Sequence, residues 1–143
     1  MKTARRQSRE IALQALYAWQ ISGGDPMEQA RSLEDFDKGD RRFIESLVQG
    51  VRDRVDELRL LITPHLDRDF ARLSPVERSI LYIGTFELCA HPQTPFKVIV
   101  NEAVELGKSF GGAEGHRFVN GVLEKIAAKL RPQEVARARA SLN

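Results

Sequence analysis

With 143 residues, 42% of them apolar and 29% charged, the chain can bury one substantial core and has the balance of a globular protein, not a disordered one. It has no apolar run of about 18 residues, so no membrane-spanning helix is expected, and charges continue to Glu10, which argues against a secretory leader. The net charge of +2 hides an asymmetry: residues 1–22 carry +3, residues 25–40 carry −4, and the tail from Lys129 carries +3. A polyanion would meet local basic patches rather than a uniformly basic surface.

The first helix is expected over residues 4–20. Ile11, Ala12, Ala15, Leu16, Ala18 and Trp19 fall within one broad arc at about 100° per residue, which should face a core. Arg6, Glu10, Gln14 and Tyr17 form a row on the opposite side. Arginine pairs with phosphate, glutamine can read a base edge, and tyrosine can stack on an unpaired base. Gly23-Gly24-Asp25-Pro26 breaks the chain, and residues 27–36 have room for a short helix. Asp40 reads as the N-cap of a long helix to about Ile62, with Thr63-Pro64 as its stop.

After a transition over residues 65–73, with a short turn around Phe70, Ser74-Pro75-Val76-Glu77 forms a capping box. The helix it opens runs to about Ala90 and is apolar nearly all round, so it should be the central one. Glu87 lies in its apolar arc and needs a partner, expected to be an arginine. Thr94-Pro95 repeats the N-cap and N1 pattern for a helix to about Phe110 that buries Phe96, Ile99, Ala103, Leu106 and Phe110. Residues 111–115 read as a flexible turn. A final helix buries Val119, Val122, Leu123 and Ile126 and ends at Arg131-Pro132, leaving a polar, partly helical or frayed tail.

No stretch has period-2 alternation long enough for a sheet. The expected class is all-α, about seven helices in two packed helical subdomains, about 1–66 and 67–132, with a tail over 133–143. The catalytic inventory is poor. His65, His91 and His116 are scattered, without ligand spacing, so no metal site and no cofactor are expected. The single cysteine, Cys89, reads as a small core residue in a reducing cytoplasm, and the glycines near 111–115 lack the Lys-Ser/Thr of a P-loop. A binding protein is favoured over an enzyme. Besides the first helix, the start of the last one draws attention, where Arg117, Phe118 and Lys125 group at a helix N-terminus.

The combined pattern resembles the NusB family of bacterial transcription antitermination factors. The matching blocks are Arg5-Arg6 through Arg9-Glu10 with Ala15-Leu16-Tyr17-Ala18-Trp19-Gln20; Val76-Glu77-Arg78-Ser79-Ile80-Leu81 with Phe86-Glu87-Leu88; Pro95-Phe96 through Asn101-Glu102-Ala103 to Leu106; Lys108-Ser109-Phe110; and His116-Arg117-Phe118-Val119-Asn120-Gly121. They come in the family's order and cover most of the chain. Segment 22–40 and the tail match least.

The resemblance implies a non-enzymatic, cytoplasmic factor. It would join the small-subunit ribosomal protein NusE on the boxA element of nascent ribosomal RNA, and load with other Nus factors onto RNA polymerase. Carried over to this chain, it implies RNA contacts at Lys2, Arg5, Arg6, Arg9, Gln14 and Tyr17 and at Arg117 and Phe118, and a partner-protein contact at Glu77. Arg117 stands where relatives often have Lys. Both a monomer and a homodimer fit the resemblance, and a dimer could cover the leader. The rival reading is a protein-binding helical adaptor whose arginines meet an acidic partner. A similar domain precedes the catalytic domain of some ribosomal RNA cytosine methyltransferases; a chain ending at residue 143 is expected not to be that enzyme.

Overall fold

The computed structural model describes residues 1–112 and 115–142. Among these it holds eight α-helices and no strand: α1 (Ala4–Ser22), α2 (Pro26–Arg31), α3 (Arg41–Asp53), α4 (Val55–Ile62), α5 (Pro75–Ala90), α6 (Phe96–Phe110), α7 (Gly115–Leu130) and α8 (Pro132–Ala140). None of them is long and apolar enough to cross a membrane.

α5 is the hub. Its capping box forms as expected: Ser74 Oγ accepts the Glu77 N–H and the Glu77 carboxylate accepts the Ser74 N–H, both at 3.1 Å. Every residue from Ser79 to Leu88 is buried, because α1, α3, α4, α6 and α7 all pack around this helix. Ile80, Leu81 and Ile83 sit at its centre, with Leu16, Leu47, Leu58, Ile99 and Leu123 supplied by the surrounding helices.

α1 is the second organising element. It buries Ser8 through Leu13, then Ala15 and Leu16, a wider arc than the apolar residues alone define. The extra width is polar. Ser8 Oγ donates to the Ala4 carbonyl and accepts the Asp40 N–H, both at 2.7 Å, stitching the first turn of α1 to the start of α3. At the other end, Gln20 Nε2 donates to Ser79 Oγ at 2.6 Å while its Oε1 accepts from Arg78 Nε at 2.9 Å, tying α1 to α5. The helix stops where Gly23 and Gly24 take φ of 74° and 82°, a region that favours glycine.

Three expectations about elements change. The long helix expected from Asp40 to about Ile62 is two helices, broken at Arg54, whose φ of −115° and ψ of 19° leave the helical region. No proline or glycine stands at that position, so periodicity alone runs through the break. Thr94 does not cap α6; the Phe96 N–H donates to the Glu134 carboxylate at 2.7 Å instead. The tail is an ordered helix, α8, anchored by buried Val135.

Arg131 explains the anchoring of α8. It donates to the carbonyls of Leu88, His91 and Thr94 and to the Glu134 carboxylate, at 2.6–3.1 Å. One guanidinium thus satisfies exposed carbonyls at the C-terminal end of α5 and in the loop after it.

Phe110, expected in the core, is 38% exposed at the last turn of α6. Of the turn expected over 111–115, Ala113 and Glu114 lie outside the described residues. α7 begins tight against α6: a β-carbon on Gly107 would lie 2.9 Å from the His116 Cα, so glycine lets the two helices approach.

Candidate nucleic-acid interface

The basic leader folds back onto acids. Lys2 Nζ bonds the Glu10 carboxylate, and Arg6 Nε bonds Glu102 at 3.0 Å. Both cations stay substantially open, at 52% and 42% side-chain exposure, while their carboxylates are at 9% and 18%, so a phosphate can reach the cations but meets them already holding largely buried acids.

Arg9 behaves differently, and its expected phosphate contact needs correction. Its side chain is 3% exposed and grips Glu87 through two hydrogen bonds of 2.9 Å, with Glu102 at 3.7 Å. The arginine partner that Glu87 requires is therefore Arg9 itself, reaching across from α1. Glu10 also leaves the expected wet row: it is buried and held by Lys2. Arg5 is exposed and stacks its guanidinium over the Phe43 ring at 3.7 Å.

Gln14 and Tyr17 do face solvent on α1. They line an open groove of about 370 Å³ with Leu13, Leu33, Val76 and Phe110. Tyr17 and Phe110 are two exposed aromatic side chains on the walls of this groove, at 42% and 38% exposure. Flat apolar walls beside an exposed amide suit a splayed base.

Arg117 and Phe118 belong to a second cleft, of about 190 Å³, shared with His65, Asp67, Gly121 and Lys125. Phe118 is half-buried, and the Arg68 guanidinium lies 4.4 Å from its ring centroid. One ring face is thus already covered by a cation, and a base stacking there must displace Arg68 or use another face. Asp67 pairs with Arg68 at 2.8 Å, which holds its carboxyl below the usual range. Arg68 had no signal in the sequence, because its role comes from packing between residues fifty positions apart.

The two clefts are separate, and the N-terminal turn of α5 links them. Val76 lines the first. Its neighbour Glu77 lies within electrostatic range of Arg68, which covers Phe118 in the second. Glu77 is itself half-buried, with one carboxylate oxygen in the capping box.

Among the described residues no group of three or more His, Cys, Asp or Glu could hold a metal ion. Cys89 is half-buried rather than in the core, and burial pushes its thiol pKa up, which disfavours the nucleophilic thiolate. His91 packs between Phe43 and Phe86, with ring centroids 5.6 Å from each, and shares a hydrogen bond with Ser46 at 2.9 Å.

Burial, then Arg5, Arg9 and Arg131, lower the His91 pKa below 6.5, against an upward pull from Glu87. The folded state then binds fewer protons at this site than the unfolded chain does. Stability is full above about 6.5 and falls as pH drops toward the lower folded value. Melting temperatures across this window are expected to decline less steeply in His91→Gln than in the wild type. Equal slopes would remove His91 as a source of acid sensitivity.

A helical protein with a basic helix end and two open aromatic-bearing clefts has the build of a helical binding factor. Residues 6–128 match the model of the NusB family, and the chain belongs to that family. It is 52% identical to a transcription antitermination protein NusB of Burkholderia ambifaria over 93% of this chain and 94% of that one. It is 49% identical to that of Dechloromonas aromatica, over 94% and 85%. Among solved structures, T. maritima NusB superposes with a TM-score of 0.82 at 29% identity, covering 96% of this chain and 99% of that one. A crystal structure of antitermination factors NusB and NusE in complex with dsRNA matches at 0.77 and 26% identity, over 87% and 96%.

Proposed function

We propose that this chain is a cytoplasmic RNA-binding antitermination factor. It binds the boxA-type element of nascent ribosomal RNA together with the ribosomal protein NusE, and helps assemble the antitermination complex on RNA polymerase. The observation that carries the RNA reading is the exposure of Gln14 and Tyr17 on a groove walled by Phe110 and Val76. Lys2, Arg5 and Arg6 supply phosphate contacts around the helix end, and Arg9 holds α1 in place through Glu87. Arg117 and Phe118 form the second half of the site, and Glu77 contributes to the NusE contact. The division into helical subdomains near residues 1–66 and 67–132 belongs to the same reading.

Titration of a short boxA-type strand and a scrambled strand, with and without NusE, tests it. The boxA-type strand is expected to bind more tightly, and NusE to widen the difference. Equal weak binding to both strands, with NusE present, would favour the protein-adaptor reading.

A further inference from the structure

The basic residues of the leader are not equivalent. Lys2, Arg6 and Arg9 each meet a carboxylate: Glu10, Glu102 and Glu87 respectively. Arg5 meets none among the described residues. It leans instead on Phe43, in the first turn of α3, where Arg41 and Arg42 are also exposed and form no ion pair among the described residues; Arg41 lies 5.6 Å from the Phe36 ring centroid. The Ser8–Asp40 hydrogen bond holds these two first turns together.

What sets these arginines apart is that no carboxylate among the described residues grips them, since by count the acids nearby balance them. Asp40 is engaged as the N-cap of α3, and Asp35 pairs with Lys38. Glu45 and Asp37 are the remaining carboxylates near the corner in sequence. Arg5, Arg41 and Arg42 are thus exposed guanidinium groups held in no ion pair among the described residues, unlike Lys2, Arg6 and Arg9 of the leader.

We infer that Arg41 and Arg42 continue from Arg5 as a phosphate track for RNA lying outside the specifically read element. The inference rests on the RNA-binding reading above and extends it. Arg5 and Gln14 are nine residues apart, on opposite sides of α1 at about 100° per residue and about 14 Å along it. A strand held at Gln14 and Tyr17 reaches Arg5 only by passing around the N-terminal end of the helix, past Lys2 and Arg6. The short element needs no contact with Arg41 or Arg42; nucleotides flanking it do. The Arg5 guanidinium carbon lies 3.7 Å over the Phe43 ring and the group is held in no ion pair among the described residues, so it has N–H groups to offer a phosphate oxygen. Such contacts carry no sequence preference and release counterions.

The test compares wild type with the double variant R41Q/R42Q, with NusE present, across a salt series. The probes are the short boxA-type strand and the same strand extended by about ten uridines on either side. For wild type, extension at one end should raise affinity and steepen the salt dependence. In the variant the short strand should bind as before, while the extended strand loses its gain and its slope falls by roughly 1.4, about 0.7 per phosphate contact on a single strand. Matching thermal melts establish that both chains fold.

An extension gain identical in wild type and variant overturns the inference, as does a wild type that binds the short strand but gains nothing from either extension. A poly-glutamate peptide that binds wild type and is released by R41Q/R42Q, with the extension gain intact, assigns the corner to an acidic protein and also overturns it. Wild type that binds neither strand overturns the proposed function as well, so the two failures are distinguishable.

Discussion

Replacing Arg9 with methionine is expected to destabilise the protein by about 3–5 kcal/mol, the cost of leaving a buried carboxylate without its cation. Glu87 is 1% exposed and Arg9 is 3% exposed, and two hydrogen bonds of 2.9 Å fix their geometry. The pair joins α1 to the hub helix α5, so its loss also frees the face that carries Gln14 and Tyr17. Arg9→Met should therefore weaken RNA binding by loosening α1, with little change in salt slope. Joint replacement of Arg9 and Glu87 by methionine should recover most of the stability, since the buried charge is then gone. Urea denaturation of the two single variants and the double variant measures the coupling directly. A cost below about 1 kcal/mol for Arg9→Met would mean that the pair does not anchor α1.

Tyr17→Ala should lower RNA affinity by about 1–3 kcal/mol, the usual worth of one aromatic stacking partner on a single strand. The side chain is 42% exposed, so the fold should be little affected. Tyr17→Phe should keep most of the affinity, because stacking uses the ring. A loss in Tyr17→Ala of only a few tenths of a kcal/mol would make the residue a bystander on the rim of the groove.

The parts of this molecule readable in advance are those governed by neighbours in the chain. The capping box at Ser74 and Glu77 depends on a four-residue pattern, and it forms with both hydrogen bonds. An apolar period around the whole of α5 requires helices on every side, and they are there. Glu87 announces its need for a cation because a carboxylate in an apolar arc is costly.

What escaped is set by distant partners. An arginine at position 9 looks the same in sequence whether it meets solvent or Glu87, seventy-eight residues away. α8 has a single buried apolar residue, so no periodicity marks it; its order comes from the carbonyls Arg131 reaches and from its own Glu134, which accepts the Phe96 N–H at the start of α6. Nothing in the sequence singles out Arg41 and Arg42; the Ser8–Asp40 hydrogen bond, which joins the first turns of α1 and α3, is what brings their helix start to the one that carries Arg5.

Within the candidate site, residue types and exposure agree for Gln14 and Tyr17, which stand on the wet side of α1 as periodicity requires. Phe118 was legible as a rim aromatic, but the cation over its ring was not. Phe110 gave the wrong signal, since helical spacing assigns it to the core while the end of α6 lifts it to the groove beside Tyr17.

The central claim is that α1 and the start of α7 form two halves of one RNA surface. Amide and side-chain NMR shifts of the full chain, titrated with a boxA-type strand in the presence of NusE, test it most directly. The account predicts saturable perturbations at Gln14, Tyr17 and Phe110 and, in the same titration with the same affinity, at Arg117 and Phe118. Perturbations confined to one cleft, or centred on α8, would contradict it.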